Sequence, residues 1–394
     1  MITNEMYQVH FQPIREIYVR LSLLQNYFTI EDTKKVRKFR KIGEIQGNTI
    51  SGSIEINVNS TIRKNCTIDL AIIDSSFLIS EDSKIWLDKW FRLEIGIKNQ
   101  ITDKIIYFDK GIFAISNPSI KYNSTEKTIH IEGLDLMCTL DGTLGGSLEA
   151  LTTKIPAGTP IFDAVKTIIT SFGYVSKNNL YIEQNTATTP YILEPQAGDS
   201  VYSLLEKIRD FYMDYEMYFN SDGRFIYQKI KSRNVSTNPT INDIVSYSFL
   251  EENDLTIDYS VDYDFSNVKN KIIVYGNVLD NGLQIKYVLE NTNENSPFNI
   301  NKPMGVISFV YTSKDIYTEE QAIQRANYEF WKRNNFNEKV NISLAALYFL
   351  EGNMMIEFNK PEINLYGKFL IDSISISLAH DGVMNMSTHR VYEV

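Results

Sequence analysis

The chain has 394 residues, 43% apolar and 12% aromatic, with a net charge of −10 and two cysteines. That length points to two or three domains with real cores. The acidic balance excludes a general phosphate-binding surface, which would need Lys and Arg to displace counterions, so sequence-specific nucleic-acid binding is not expected.

Cys66 and Cys138 stand far apart and outside any CxxC pair. They read as two buried thiols made in a reducing cytoplasm, neither a disulfide framework nor a thiolate zinc site. The N-terminus MITNEMYQVH has neither the basic start nor the apolar core of a secretory signal. The longest apolar run, LAALYFL at 344–350, falls far short of the ~18 residues needed to cross a bilayer, so no membrane insertion is expected.

Residues 1–148 read as strand after strand. TISGSIEINVNS and CTIDLAIID alternate with period two, so each should bury one face. RLEIGI and KIIYFDKGIFAI follow, and a hairpin closes in TIHIEGLDL. The basic run Lys34-Lys35-Val36-Arg37-Lys38-Phe39-Arg40-Lys41 reads as a solvated face or an edge-strand guard, or else as a contact for an acidic partner.

The character changes over 149–255. Thr159-Pro160 predicts an N-cap with proline at the first helical position, and Ile161, Phe162, Val165, Ile168, Ile169 and Phe172 follow at helical spacing up to a stop at Gly173. A second helix is predicted from Asp199, with Val201, Leu204, Leu205, Ile208 and Phe211 on one stripe. Asp222-Gly223 then marks a hairpin turn inside EMYFNSDGRFIYQKI. Two helices with strands make a small α+β domain.

From 256 to 394 the chain returns to strands, beginning with KNKIIVYGNV. The Asn-rich stretch 291–302 reads as an exposed loop, and Thr318 with Gln321 predicts a capped helix carrying Ala322, Ile323, Ala326 and Phe330 on one side.

Two segments echo each other. GIFAISNPSIKYNSTEKTIHIEG from Gly111 and GKFLIDSISISLAHDGVMNMSTHRV from Gly367 both open Gly-x-Phe-x-Ile, alternate, turn and return. Upstream, Leu93–Ile97 lines up with Met355–Phe358, each leading by a polar insert into the glycine. Alternating strands resemble one another cheaply, so identity alone leaves coincidence open. If the echo is a duplication, two related β-barrels flank a threaded α+β domain.

The order of TISGSIEINV, KGIFAISNPSIKYNSTEKTIHIEGLDLM, SVYSLLEKIRDFYMDYEMYFNSDGRFIYQ, KNKIIVYGNV and TEEQAIQRANYEFWKR through the final hairpin resembles the baseplate hub proteins of contractile phage tails and phage-tail-like bacteriocins. The resemblance implies a mainly β chain with an α+β insert: a tube-like barrel at 1–148, an α+β domain at 149–255, and a second tube-like barrel with a packed helix at 256–394. It also implies a homotrimer whose six barrels match a hexameric tail tube on one side and a trimeric spike on the other. The implied partners are the tube or tube-initiator protein, the spike, and wedge or LysM-containing baseplate proteins. The implied location is the baseplate of a virion tail, after synthesis in the bacterial cytoplasm. An acidic chain would also suit a lumen through which DNA must slide. The hub of a non-contractile tail is the nearest variant, and a tail-associated cell-wall hydrolase or a carbohydrate-binding β protein the readings of other classes.

No catalytic, cofactor-binding or metal-ligating residue is nominated. His380-Asp381 reads as the turn of the last hairpin, with His389 on its returning strand, because adjacency in sequence does not build a triad. His10, His130, His380 and His389 show no metal-site spacing, although His130 and His389 would occupy comparable places in the two copies. Asp141 to Gly146 is glycine-rich without the Lys-Ser or Lys-Thr of a P-loop, and reads as a connector. Phe211, Tyr212, Tyr215, Tyr218 and Phe219 read as core in preference to a stacking platform. The chain ends close to its last strand, leaving no room for an appended lysozyme or peptidase domain.

Overall fold

The structure, a computed structural model, describes residues 3–47, 49–122, 127–148, 154–211, 215–230, 245–250, 255–279, 282–333, 337–379 and 382–391. Helix α1 (Asn4–Gln8) leads into β1 (Ile17–Glu31), β2 (Lys34–Gln46), β3 (Thr49–Asn57), β4 (Lys64–Ala71), β5 (Lys89–Lys98), β6 (Ile105–Tyr122) and β7 (Lys127–Asp135). The middle holds α2 (Ile161–Ser171), β8 (Leu180–Ile182), α3 (Val201–Phe211), β9 (Tyr215–Phe219) and β10 (Phe225–Lys229). After these come β11 (Tyr247–Phe249), β12 (Thr256–Asp264), β13 (Lys271–Val278), β14 (Gln284–Glu290), β15 (Ser308–Thr312) and α4 (Glu319–Arg333). The chain closes with β16 (Asn337–Ala345), β17 (Met355–Lys360), β18 (Leu365–Ser377) and β19 (Val383–Arg390).

One large sheet runs β12-β16-β19-β18-β3-β4-β7-β6-β5-β1-β2, with β17 on the first half of β18 and β11 on β17. Period-two alternation builds it. In β4, Lys64, Cys66, Ile68 and Leu70 face inward while Asn65, Thr67, Asp69 and Ala71 do not. The path is open at β12 and at β2, so the described hydrogen bonds do not close the barrels expected from sequence.

The two ends of the chain share a strand order. The N-terminal unit runs β3-β4-β7-β6-β5 and the C-terminal unit β12-β16-β19-β18-β17. Register matches too: Gly111 lies opposite Leu93 and Gly367 opposite Phe358, while Phe113 lies opposite Asp135 and Phe369 opposite Arg390. Gly111 and Gly367 both hold positive φ, 135° and 115°, where a side chain would be strained. Phe113 and Phe369 are both fully buried, and an irregularity follows in each long strand, at Ser116/Ser119 and Ile371/Ser373. Leu93 therefore corresponds to Phe358 and not to Met355. The units diverge at the sixth position, where β1 is antiparallel to β5 but β11 is parallel to β17.

The units are fused through β3 and β18. Ile54 pairs with Ile376 and Ile56 with Ile374, and all four are buried in one core that also takes Phe91, Phe113, Ile342 and Phe369. A second core lies under α2, α3 and the sheet β8-β10-β9.

Residues 271–312 form their own sheet, β14-β13-β15. Helix α4 packs Ala322 and Ala326 against Ile272, Val274 and Ile285 of this small sheet, not against the large one. Its capping box is formed: Thr318 Oγ1 accepts from Gln321 N–H at 3.2 Å and Gln321 Oε1 from Thr318 N–H at 3.2 Å. Removing the cap in Thr318→Ala is expected to cost about 1 kcal/mol, read as a lower denaturant midpoint at unchanged slope.

Three helix boundaries differ in detail from the sequence reading. The Thr159 hydroxyl donates to Pro156 O at 2.7 Å and gives no cap bond; Pro160 itself is the extended N-cap residue. After α2, Tyr174 adopts the left-handed conformation (φ 55°), while Gly173 is required because a Cβ there would sit 2.7 Å from Ile169 O. For α3, Ser200 is the capping residue, its Oγ accepting from Ser203 N–H at 3.0 Å.

Candidate functional site

Two features could serve a structural role: a buried junction where three parts of the chain meet, and the sheet edges that no described strand covers. The junction begins with Arg63-Lys64 at the start of β4. Arg63 Nη1 meets Glu216 Oε2 of β9 at 2.8 Å, with both side chains under a tenth exposed. Glu216 also accepts from Asn353 Nδ2 at 2.6 Å and Gln228 Nε2 at 2.9 Å. The Arg63 guanidinium lies 4.2 Å from the Tyr218 ring centroid.

Lys64 Nζ bonds Glu351 at 2.8 Å, and the fully buried Lys110 reaches Glu351 at 3.5 Å and Tyr348 O at 2.6 Å. Burial would raise the Glu351 carboxyl, but the two lysines hold it below its ordinary value. Burial pushes Asp135 up to about 6, against backbone N–H bonds from Lys64 and Met137. A cavity of about 110 Å³ lies among these groups. Gly352 is obligatory beside it, since a Cβ would fall 2.4 Å from Val58 Cγ1 and 3.1 Å from Arg63 Nη2. One charge network thus ties the N-terminal β unit (Arg63, Lys64, Lys110) to the α+β part (Glu216) and the C-terminal β unit (Glu351, Asn353).

Among the described residues, two open stretches of the large sheet bear on assembly. No described strand covers the outer edge of β12. On β6, β5 covers residues 105–114, so beyond Ala114 one edge has no described strand against it. There Ile120 is 42% and Tyr122 71% exposed. β2 ends the sheet at the other side and carries the basic run. Its charges are largely met within the chain: Lys38 by Glu31 and Lys41 by Glu44, each at 2.6 Å, with Lys34 on the hydroxyls of Thr170 and Ser171. Lys35 lies over Phe28, Arg37 over Phe28 and Trp90, and Arg37 N–H bonds Tyr174 O across the edge.

The histidines disperse. His10 Nε2 accepts from Tyr348 N–H, His130 Nδ1 pairs with Asp69 at 2.8 Å, and His389 Nδ1 pairs with Asp372 at 2.7 Å. His130 and His389 are not equivalent. Ile115 opposite Gly133 matches Ile371 opposite Thr388, which sets His389 against Leu134 and His130 against Asn385. His380 and Asp381 lie outside the described residues, as does Tyr212. Among the described residues, no three His, Cys, Asp or Glu side chains stand where they could hold a metal.

Asp141 to Gly146 is a tightly bonded connector: Gly146 O accepts from Val201 N–H at 2.7 Å, and a Cβ on Gly146 would strike the Leu140 backbone at 2.6 Å. Phe219 is buried, Tyr215 stacks on Tyr227 at 5.1 Å, and Phe211 packs edge-on to Tyr191. These rings are core. Cys66 and Cys138 are buried free thiols. Sequence reasoning passed over Arg63, Lys64, Lys110, Glu216 and Glu351. The available signal was a charge in register with the apolar face, Lys64 with Cys66 and Ile68.

A sequence family described as a domain of unknown function (DUF5048) matches residues 295–394. No curated protein matches the sequence. Among solved structures, the chain is similar to a tail protein of Neisseria meningitidis MC58, with TM-score 0.61 and 11% identity over 95% of this chain and 97% of that one. It is similar to the 43 kDa tail protein of prophage MuSo2 from Shewanella oneidensis, with TM-score 0.60 and 11% identity over 95% and 98%. A type VI secretion component of Escherichia coli, described as structurally similar to the bacteriophage T4 tail proteins gp27 and gp5, gives TM-score 0.52 and 7% identity over 95% and 77%. Over 95% of its length, the chain has the β-rich fold of these phage tail proteins.

Proposed function

We propose that the protein is the structural hub of a contractile-tail baseplate. Three copies form a ring of six β units that receives a hexameric tail tube on one side and a trimeric spike on the other, leaving a central conduit. Three parts build each copy: a tube-like unit at 1–148, an α+β part at 149–255, and a second tube-like unit with its small sheet and helix at 256–394. The observation that carries this is the shared strand order and register of the two units, which lets a threefold body offer six near-equivalent surfaces.

The other partners are a tube-initiator protein and wedge or LysM-containing proteins, and the setting is the baseplate of a virion or tail-like particle. The mechanism is geometric adaptation without covalent chemistry. Light scattering is expected to give three times the 45.4 kDa chain mass, and negative-stain averages a threefold ring with a central hole. A particle of one or two chains with no hole overturns the proposal, and a cleared band on a cell-wall zymogram overturns its non-enzymatic part.

A further inference from the structure

Inside the chain the two β units are joined edge to edge by the pairing of β3 with β18, which offers a template for a contact between chains. Resting on the hub reading, we propose that β12 of one copy adds antiparallel to the 116–122 segment of β6 of the next. The register sets Val261 opposite Ile120.

The template is the pairing of β3 with the second half of β18. There Ile54 faces Ile376, Glu55 faces Ser375 and Ser53 faces Ser377. Each partner has a counterpart in the other unit. Phe113 corresponds to Phe369 and Ile115 to Ile371, and beyond the irregularity Ile120 opposite Ile129 corresponds to Ile376 opposite Met384. Thr388 opposite Val340 corresponds to Gly133 opposite Cys66, so Val261, which pairs with Val340, corresponds to Ile54, which pairs with Cys66. β12 is therefore the counterpart of β3, and 116–122 the counterpart of the segment of β18 that β3 covers. Among the described residues, no strand pairs with either counterpart on that side.

Burial agrees with a missing neighbour. Ile376 is fully buried where β3 covers it, whereas its counterpart Ile120 is 42% exposed; Ile54 is fully buried and its counterpart Val261 only partly. Transferring the register places Tyr259 opposite Tyr122, a ring 71% exposed in the single chain. These cross-strand pairs are the units that stabilise a sheet.

Polar chemistry transfers as well. In the template the Ser375 hydroxyl donates to Glu55 Oε1 at 2.6 Å. The transferred pair is Ser119 opposite Asp262, again a serine against a carboxylate. Lys121 falls opposite Ser260, flanked by Asp258 and Asp262 on the same outward face, so the charges attract. Pro118 takes the place of Ile374 and has no N–H, so the joint has one hydrogen bond fewer than its template; Pro118 lies at the irregularity between Ser116 and Ser119, a place where a strand accepts proline.

The joint is head-to-tail, the kind that closes into a ring. Three internal β3–β18 joints would alternate with three external β12–β6 joints, giving the six of the proposed hub.

The test is a cysteine pair, Ser260→Cys with Lys121→Cys, in the full chain. In the template, Gly52–Leu378 and Val58–Asp372 are hydrogen-bonded levels, with N···O 2.9 and 3.0 Å. Ser53–Ser377 is therefore a non-bonded level, with side chains closest, and so is its counterpart Ser260–Lys121. That spacing suits a disulfide. Cys66 and Cys138 are buried and do not compete. Oxidation is expected to convert the monomer band into covalent dimer and trimer, reversed by reductant. Ser260→Cys with Tyr122→Cys, whose side chains point to opposite faces, should stay monomeric on the gel. A particle of three chains without the 260–121 cross-link overturns the register and leaves the hub reading standing. A chain monomeric at every concentration, with no cross-link, overturns both.

Discussion

Replacing Glu216 with alanine is expected to destabilise the protein by about 3–5 kcal/mol, the cost of leaving a buried charge without its partner. Arg63 and Glu216 are both nearly out of solvent at 2.8 Å, so removing the carboxylate strands a guanidinium that cannot shed its proton. Asn353 and Gln228 lose the same acceptor. Neutralising both ions in Arg63→Met with Glu216→Leu is expected to recover most of the loss, because an apolar pair of similar volume avoids the desolvation penalty. The remainder would measure the orphaned amides. Denaturant unfolding across the cycle gives the coupling. A single-variant loss below about 1 kcal/mol, the range of an exposed pair, would mean that solvent reaches the junction. Because Glu216 and Arg63 belong to different parts of the chain, the loss should also weaken their docking.

The sequence showed some of this and concealed the rest for identifiable reasons. Gly-x-Phe-x-Ile was legible twice because it reports local geometry. The glycine holds a positive φ that other residues resist, and the phenylalanine two residues later takes the inward face. α2, α3 and α4 were legible because a helix carries its period within a dozen residues. Strand partners were not. β3 and β18 lie about 320 residues apart, and alternation says which face is buried but never against what. The small sheet was misplaced for that reason: KIIVYGNV reads as one more strand of a barrel, while its parallel partner β15 lies beyond a long loop. The junction was hidden because its charges come from residues 63, 64, 110, 216 and 351, each unremarkable alone. The supposed equivalence of His130 and His389 failed because sequence alignment cannot place the irregularities that the register reveals.

Lowering the pH should cost this protein stability through His10, by an amount a single variant isolates. His10 is fully buried, and one peptide is held from two sides: Tyr348 N–H donates to His10 Nε2 at 3.0 Å, and Tyr348 O accepts from Lys110. Nε2 must be unprotonated to accept, so Nδ1 carries the hydrogen and donates to Met6 O at 3.0 Å. Burial lowers the imidazole from 6.5 to about 4, with the charges of Arg15 and Lys110 adding to the effect. The unfolded chain therefore takes up this proton first. The His10 contribution is complete above pH 6.5 and is lost as pH falls toward 4, by about 3 kcal/mol. Asp109 and Asp135 work in the opposite direction. Burial pushes each up to about 6, so the folded chain binds their protons first and gains stability as pH falls from 6 toward 3.8. The raw stability curve sums these slopes; the difference between wild type and His10→Gln removes the carboxylates. Glutamine can still accept from Tyr348 N–H, and its charge does not change. Between pH 7 and pH 4 the wild type is expected to lose about 3 kcal/mol relative to the variant, measured by urea unfolding at each pH. Parallel curves would mean that His10 protonates without unlocking the peptide, and that the N-terminal segment does not hold the 346–350 loop in place.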